Sequence, residues 1–416
     1  MIDANSASIP VLTPGRMALF AATAGVMVAN LYYSQPLLAD IGRSFGCDAT
    51  QAGYLVTVVQ LGYALGVLLL VPLGDRLDRR RLTSFMLAAC VVGLLCAAAS
   101  PTLVALGAAS LLVGAAASAT MVVVPYVASH APEATRGRAI GQVMTGLLLG
   151  ILLARTVSGA VADWAGWRWV YVLAAAAVGA LWFALRRAMA PDPPREAVPY
   201  GTLLASLVTL VRNEPELRRR AFYALLGLGA FSALWTSLTF LLTAAPYRYS
   251  TTTVGLFGLI GAAGALSANL AGRLGDRGLA RPMTGAFAAM LLVAWIVLAQ
   301  ATTSLAMVIV GVFLVDAAAQ GLQVTHQSVI YRLAPKARSR ITAVFITAGF
   351  VGMSLGSALA SASYRHAQWR GVCAIGAGLS ALLLASWLVG RLRDARKAST
   401  GAAAAAPRAP SARRGA

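Results

Sequence analysis

The chain has 416 residues, of which 59% are hydrophobic and only 12% charged, with a net charge of +20. Soluble domains carry about 25% charged residues, so a soluble globular fold is excluded. The four cysteines, Cys47, Cys90, Cys96 and Cys373, have no metal-ligand or disulfide spacing. They read as packing residues, and neither a metal nor a cofactor is expected.

Apolar runs of about 20 residues, long enough to cross roughly 30 Å of hydrocarbon, recur along the chain. Residues 1–16 read as a polar tail, and no cleavable leader is expected. Six spans follow at 17–38, 51–74, 82–100, 102–128, 138–161 and 168–187, within a first half at 17–188. A polar segment at 189–219 opens with Pro191-Asp192-Pro193-Pro194. Its Leu203, Leu204, Leu207, Val208 and Val211 predict a short helix lying on the membrane surface. Six more spans at 220–245, 252–275, 282–301, 303–330, 340–363 and 370–390 make a second half at 220–391. Residues 392–416, rich in Ala, Pro and Arg, read as a disordered tail. The fold class is therefore all-α and integral to the membrane, with twelve helices in two groups of six.

The positive charge is one-sided in this topology. All but six of the 34 Lys and Arg fall on the side of the two termini. Arg43, Arg168, Arg248, Arg365 and Arg370 lie on the other side, and Arg155 lies inside a span. This positive-inside bias makes both termini cytoplasmic. The charge reads as orientation, and no nucleic-acid partner is expected. Trp164, Trp167 and Trp369 read as anchors at the membrane interface.

The two halves resemble each other. Gly74-Asp75-Arg76 recurs as Gly275-Asp276-Arg277 after 201 positions, and Trp167-Arg168 recurs as Trp369-Arg370 after 202. At the same 202 offset, Gly146, Gly150, Ala154 and Ser158 match Ala348, Gly352, Gly356 and Ala360. Small residues at a spacing of four let membrane helices approach closely. Tandem repeats of this kind fit a transporter whose halves rock about a central site.

The loop Pro72-Leu73-Gly74-Asp75-Arg76-Leu77-Asp78-Arg79-Arg80-Arg81 resembles the cytoplasmic signature of the major facilitator superfamily, although its flanking glycines are Val71 and Asp78 here. Asn30 to Leu38, Gly150 to Arg155 and Tyr331 to Pro335 resemble a bacterial drug or sugar efflux branch of that family. The resemblance implies the twelve-helix fold, a bacterial inner membrane location and a cytoplasmic gate. Asp75, Arg76 and Arg79, with Asp276 and Arg277 in the second copy, would form that gate, the basic residues meeting helix ends across the halves. Two features depart from the family's antiporters: Ser110 stands where they carry an Arg, and Ala154-Arg155 stands for a Gly-Pro pair.

A charge in the bilayer centre costs at least about 2.5 kcal/mol, so one that persists marks a functional candidate. Asp316 and Arg155 are the two such charges. Gln320, Gln323 and Gln327 follow Asp316 at helical spacing, within about 60° of one face, in a stripe roughly 16 Å long. The repeat places Gly114 opposite Asp316 and Ser357 opposite Arg155, so both charges break the internal symmetry. The resemblance, in which spans 5 and 8 pack together, implies Asn269 as a candidate neighbour of Arg155. Asn30 and Tyr33, ahead of an interruption at Pro36, share a face expected to look into the cavity, and Gln60 lies on the second span. His326 lies about 80° off the Asp316 face and reads as structural.

The leading expectation is a monomeric, proton-coupled antiporter that exports a small organic molecule by alternating access, with substrate, protons and the bilayer as its partners. One alternative is uptake or facilitated diffusion of a small, anionic metabolite, suggested by Arg155. Another is a non-transporting membrane sensor. No nucleotide-binding loop or nucleophile–base constellation is present, so an enzyme is not expected.

Overall fold

The computed structural model describes residues 12–191, 199–266, 279–333 and 338–405. Among them no strand occurs. The first half contains α1 (Pro14–Ala29), α2 (Ser34–Phe45), α3 (Ala49–Leu65), α4 (Arg79–Ala98), α5 (Leu103–Ala117), α6 (Thr120–His130), α7 (Arg136–Ala165) and α8 (Trp167–Ala188). Then come α9 (Tyr200–Asn213), α10 (Pro215–Thr243), α11 (Thr251–Leu266), α12 (Ala280–Leu298), α13 (Leu305–Leu333) and α14 (Arg338–Ala405). Nine helical stretches of the described chain are long and apolar enough to cross a membrane, and the bent pair α1–α2 makes ten. The shorter apolar helix Thr251–Gly264 and a break in α14 at Gln368 make the arrangement consistent with twelve spans. The last helix runs on to Ala405, into the stretch expected to be a disordered tail.

The first span bends by 41° between α1 and α2. Pro36 has no N–H to give to the carbonyl of Tyr32. That carbonyl accepts instead from the amide of Gln35 at 3.2 Å, and the chain turns one helical turn before the proline. The interruption expected at Pro36 therefore falls at residues 30–33, and Pro36 itself sits in the first turn of α2.

Bare backbone joins the helices within each half. A Cβ on Gly150 would strike the backbone of Gly25, and one on Gly356 would strike that of Gly229. Gly146 likewise meets Ala21, and Gly352 meets Leu225. The small faces of α7 and α14 thus do the same work against α1 and α10. Gly150 and Gly352, 202 apart, are contact glycines in both halves, but the residues they meet, Gly25 and Leu225, are 200 apart. Between the halves, Gly255 lies against the backbone of Arg155 on α7, and Gly53 lies against Ser361 on α14.

The hydrogen bonds described between the halves lie at mid-depth and at the end remote from Pro14 and Arg136. Gln60 and Ser232 exchange bonds of 3.0 and 3.2 Å. Thr50 Oγ1 donates to Ser361 O, Thr239 Oγ1 to Gln35 O, and Thr251 Oγ1 to Asp40. Asp163 accepts the backbone N–H of Thr252 at 2.8 Å, where it also suits the positive end of α11. Arg365 and Asp48 add an ion pair at 3.9 Å. These contacts seal that end of the molecule.

The repeated Trp-Arg pairs lock the turns between adjacent helices. Trp167 Nε1 donates to Ser44 Oγ and Trp369 Nε1 to Leu298 O. Both tryptophans are buried, so they are internal ties and not interface anchors; Trp164, 83% exposed, keeps the anchor's position. The residue before each pair has positive φ: Gly166 at 91° and Gln368 at 49°. A side chain in such a conformation costs about 1–3 kcal/mol. Gln368→Gly is expected to raise the thermal unfolding midpoint of the purified protein, an unchanged or lower midpoint being the contrary result.

Within the segment expected to carry a surface helix, a helix forms as α9. Its Leu207 is buried, and Tyr200 Oη ties it to the carbonyl of Leu69 at 2.7 Å.

Candidate functional site

Asp316 lies mid-way along α13 and is 5% exposed. Leu322 and His326 of the same helix touch Gly227 and Tyr223 of α10 on one side. Phe313 and Ala317 touch Gly264 of α11 on the other. The face between, which carries Asp316, Gln320, Gln323 and Gln327, looks into the cleft between α10 and α11. The three glutamines are partly exposed. Among the described residues none of them makes a side-chain hydrogen bond. His326 is fully buried beside Tyr223 and Phe345, off this face.

The structure brings Arg155 to the same place from α7. Arg155 is 3% exposed, and its Nε donates to Gln35 Oε1 at 2.6 Å. Its guanidinium carbon stands 3.8 Å from the ring centre of Trp235 and 4.9 Å from that of Tyr32. A desolvated cation over an aromatic face is stabilised by about 2 kcal/mol. On its edge, the same indole donates Nε1–H to Asp316 Oδ2 at 3.1 Å. Trp235 therefore holds both charges, one on its face and one on its edge. Among the described residues no salt bridge joins Arg155 to Asp316. Arg155 Nη2 and Gln35 Nε2 are buried without a hydrogen-bond partner.

The repeat explains how room is made for these charges. Asp316 corresponds to Gly114, and Gly261 corresponds to Val59, each pair 202 apart. A Cβ on Gly114 would meet Val59 and Tyr63, so in the first half the small residue is on α5. In the second half the small residue is Gly261 on α11, and the carboxyl of Asp316 occupies the space it leaves; a Cβ there would lie 2.8 Å from Oδ1. Arg155 and its counterpart Ser357 sit beside equivalent glycines, Gly255 and Gly53. The symmetry-breaking charges thus occupy equivalent positions in the scaffold.

The other candidates are placed differently. Asn30 is buried and donates to Val26 O and Met27 O of its own helix, where it satisfies carbonyls at the bend. Tyr33 lines an apolar cavity of about 630 Å³ between α1 and α7, with Val26, Leu149, Leu153 and Val157. Those α7 residues lie on the face opposite Arg155, so Tyr33 is not part of the charged cluster. Gln60, fully buried, bridges the halves through Ser232. Asp75 reaches Arg79 at 3.9 Å. Arg79 Nη1 donates to Pro125 O and Ser129 Oγ near the end of α6. Arg80 Nη2 donates to Arg186 O at the end of α8. These described contacts meet helix ends as the resemblance implied, but within one half. Arg76 lies in the same turn. Asp276, Arg277 and Asn269 lie outside the described residues.

Gln35, Tyr32, Trp235 and Gly261 complete the cluster; Gln35 on the first span and Trp235 on the seventh are polar residues that the sequence offers inside the membrane, whereas Tyr32 and Gly261 were not singled out. Gly261 carried a readable signal, the loss of the valine that its repeat partner keeps.

The model of the Major Facilitator Superfamily matches residues 18–323 and again 270–414. The chain is 40% identical over 376 residues to the uncharacterized transporter YgaY of Escherichia coli O157:H7, covering 90% of this chain and 95% of that one. A shorter match, 35% over 140 residues, links it to the glucose transporter GlcP of Staphylococcus epidermidis, covering 33% of this chain and 31% of that one. Among solved structures, the nucleoside transporter NupG superposes with TM-score 0.71 at 16% identity, covering 90% of this chain and 99% of that one. The human organic anion transporter MFSD10 superposes with TM-score 0.65 at 16% identity, covering 90% of this chain and all of that one. At such identities these two likenesses speak for the fold alone.

Proposed function

Because the chain belongs to the Major Facilitator Superfamily, we propose that it is a secondary transporter that moves a small organic molecule by alternating access and couples that movement to protons at Asp316. The observation that carries this reading is the buried Arg155–Trp235–Asp316 cluster between the two halves. A transport centre must be reachable from each side in turn. The contacts from Asp40, Asp48 and Asp163 close one end. Most are single hydrogen bonds, each a net contribution of about 1 kcal/mol, a scale suited to a gate that must reopen. The partly exposed glutamine stripe leads from Asp316 toward the opposite end and offers a hydrated route for a proton.

Export in exchange for protons across a bacterial inner membrane, by a monomer with cytoplasmic termini, is the direction favoured by the family resemblance. The second reading, uptake or facilitated diffusion of an anion, draws support from the unpartnered Nη2 of Arg155. A thermal-shift ligand screen on the purified protein identifies a binder, since any ligand of the native state raises its apparent stability. Flux of that binder into proteoliposomes is then measured with and without an imposed pH gradient. Accumulation driven by the gradient is expected, its direction separating export from uptake. Flux indifferent to the gradient would refute coupling.

A further inference from the structure

Buried cations in proteins are paired, because an uncompensated charge away from water is costly. Arg155 meets that rule only at a distance: Asp316 acts on it as counter-charge, with no hydrogen bond between them. Arg155 is almost wholly removed from solvent. Its Nε is satisfied by Gln35, its π-face by Trp235 and Tyr32, and its Nη2 by nothing. The carboxylate of Asp316 is close enough to touch the same indole, yet it is turned to the indole N–H.

A second buried donor accompanies the first. Gln35 uses Oε1 to accept from Arg155, which leaves its Nε2 beside the guanidinium, also without a partner. Gln35 is held from behind: its backbone carbonyl accepts from Thr239 Oγ1 at 2.7 Å, and its amide N–H is committed to Tyr32 O. Two orphan N–H groups, one of them cationic, on two side chains already joined by a hydrogen bond suit a planar anion with two acceptor oxygens. Guanidinium binds carboxylates in that geometry. A neutral ligand would leave Asp316 as the counter-charge and Arg155 Nη2 without an anionic acceptor.

Resting on the transporter reading above, we infer that Arg155 and Gln35 form the receptor for a carboxylate, so that the transported molecule is a small organic acid bound as its anion. The linkage to protons follows from charge. Among the described residues, the ionisable groups facing Asp316 are Arg155 from α7 and Tyr32 from the bend. The empty centre holds one positive and one negative charge. A bound carboxylate adds a second negative charge, and a proton taken from water onto Asp316 restores neutrality. Anion and proton therefore favour each other's binding and travel together, so the inference rests on the second reading, uptake of an anion, and replaces exchange for protons by movement with them.

The test uses the full chain, purified in detergent, with benzoate and a panel of other monocarboxylates as probes, each paired with its primary amide. Expected are a raised unfolding midpoint with carboxylates but not with amides, and proton uptake on binding in weakly buffered solution. Arg155→Lys, which keeps the charge but loses the planar fork, is expected to weaken carboxylate binding at least tenfold. Gln35→Glu provides a check that does not depend on altering Arg155. It supplies the missing anion from within, so it should raise the midpoint and abolish the response to carboxylates. Equal shifts with amides, unchanged affinity in Arg155→Lys, or no shift with any carboxylate would each overturn the receptor. Carboxylate binding without counterflow of labelled benzoate in proteoliposomes would uphold the receptor and refute the transporter reading. Counterflow of a neutral solute without carboxylate binding would do the reverse.

Discussion

Asp316→Asn is expected to reduce pH-gradient-driven transport to background while the protein remains folded in the membrane. Asparagine has the size of aspartate and keeps an oxygen that can accept from Trp235 Nε1, so the packing around Gly261 survives. What is lost is the ability to take up and release a proton. The hydrogen bond to the indole also changes from charge-assisted to neutral, a loss on the order of 1 kcal/mol. Counterflow, which needs no gradient, should persist. The comparison is made in proteoliposomes under both regimes, with the folded fraction checked by size-exclusion chromatography. A variant that accumulates substrate along the gradient as the parent does would remove Asp316 from the coupling step.

Gly261→Ala is expected to lower transport at least tenfold, an effect comparable in size but different in cause. The added methyl would lie 2.8 Å from Asp316 Oδ1, 2.9 Å from its Cγ and 3.0 Å from Trp235 Cζ2. Neither neighbour can yield freely, since each holds the other through the indole hydrogen bond. Overpacking of this kind costs about 1–3 kcal/mol. The same shift would pull the indole from beneath Arg155, so substrate affinity and proton coupling should fail together. Gly378→Ala provides the control, because a Cβ there meets nothing within 4 Å. Equal transport by the two variants would mean that the fit of Gly261 to Asp316 is unimportant.

Much of the architecture was legible because membranes impose strict rules on sequence. Length and hydropathy marked the spans, and the repeated Gly-Asp-Arg and Trp-Arg pairs marked the two halves. Small-residue faces were legible as helix contacts, but which residues of α1 and α10 they meet was not. Register between helices depends on crossing geometry, and several registers of a small-residue stripe are equally consistent with spacing. The bend before Pro36 was foreseeable in kind; its position depended on which carbonyl loses its donor.

The candidate site divides in the same way. Asp316 and Arg155 could be found because charge in hydrocarbon is rare and because each broke the repeat. Their meeting at Trp235 could not be found, since 161 residues separate the two charges and spacing says nothing about contacts between helices in opposite halves. Tyr33 shared a predicted face with Asn30, but the break in the helix ended the regular periodicity just there. Helical-wheel reasoning loses its meaning across residues 30–33.

Because one indole holds both Arg155 and Asp316, the two opposite charges sit at nearly the same depth in the bilayer. A unit charge falling through 100 mV changes the energy by about 2.3 kcal/mol. The empty centre sums to zero, and so does a centre carrying a carboxylate together with a proton. Neither form presents a net charge to the membrane voltage as it passes from one side to the other. A potassium diffusion potential imposed without a pH gradient should therefore leave the flux unchanged, and the protein would draw its energy from the chemical part of the proton gradient alone.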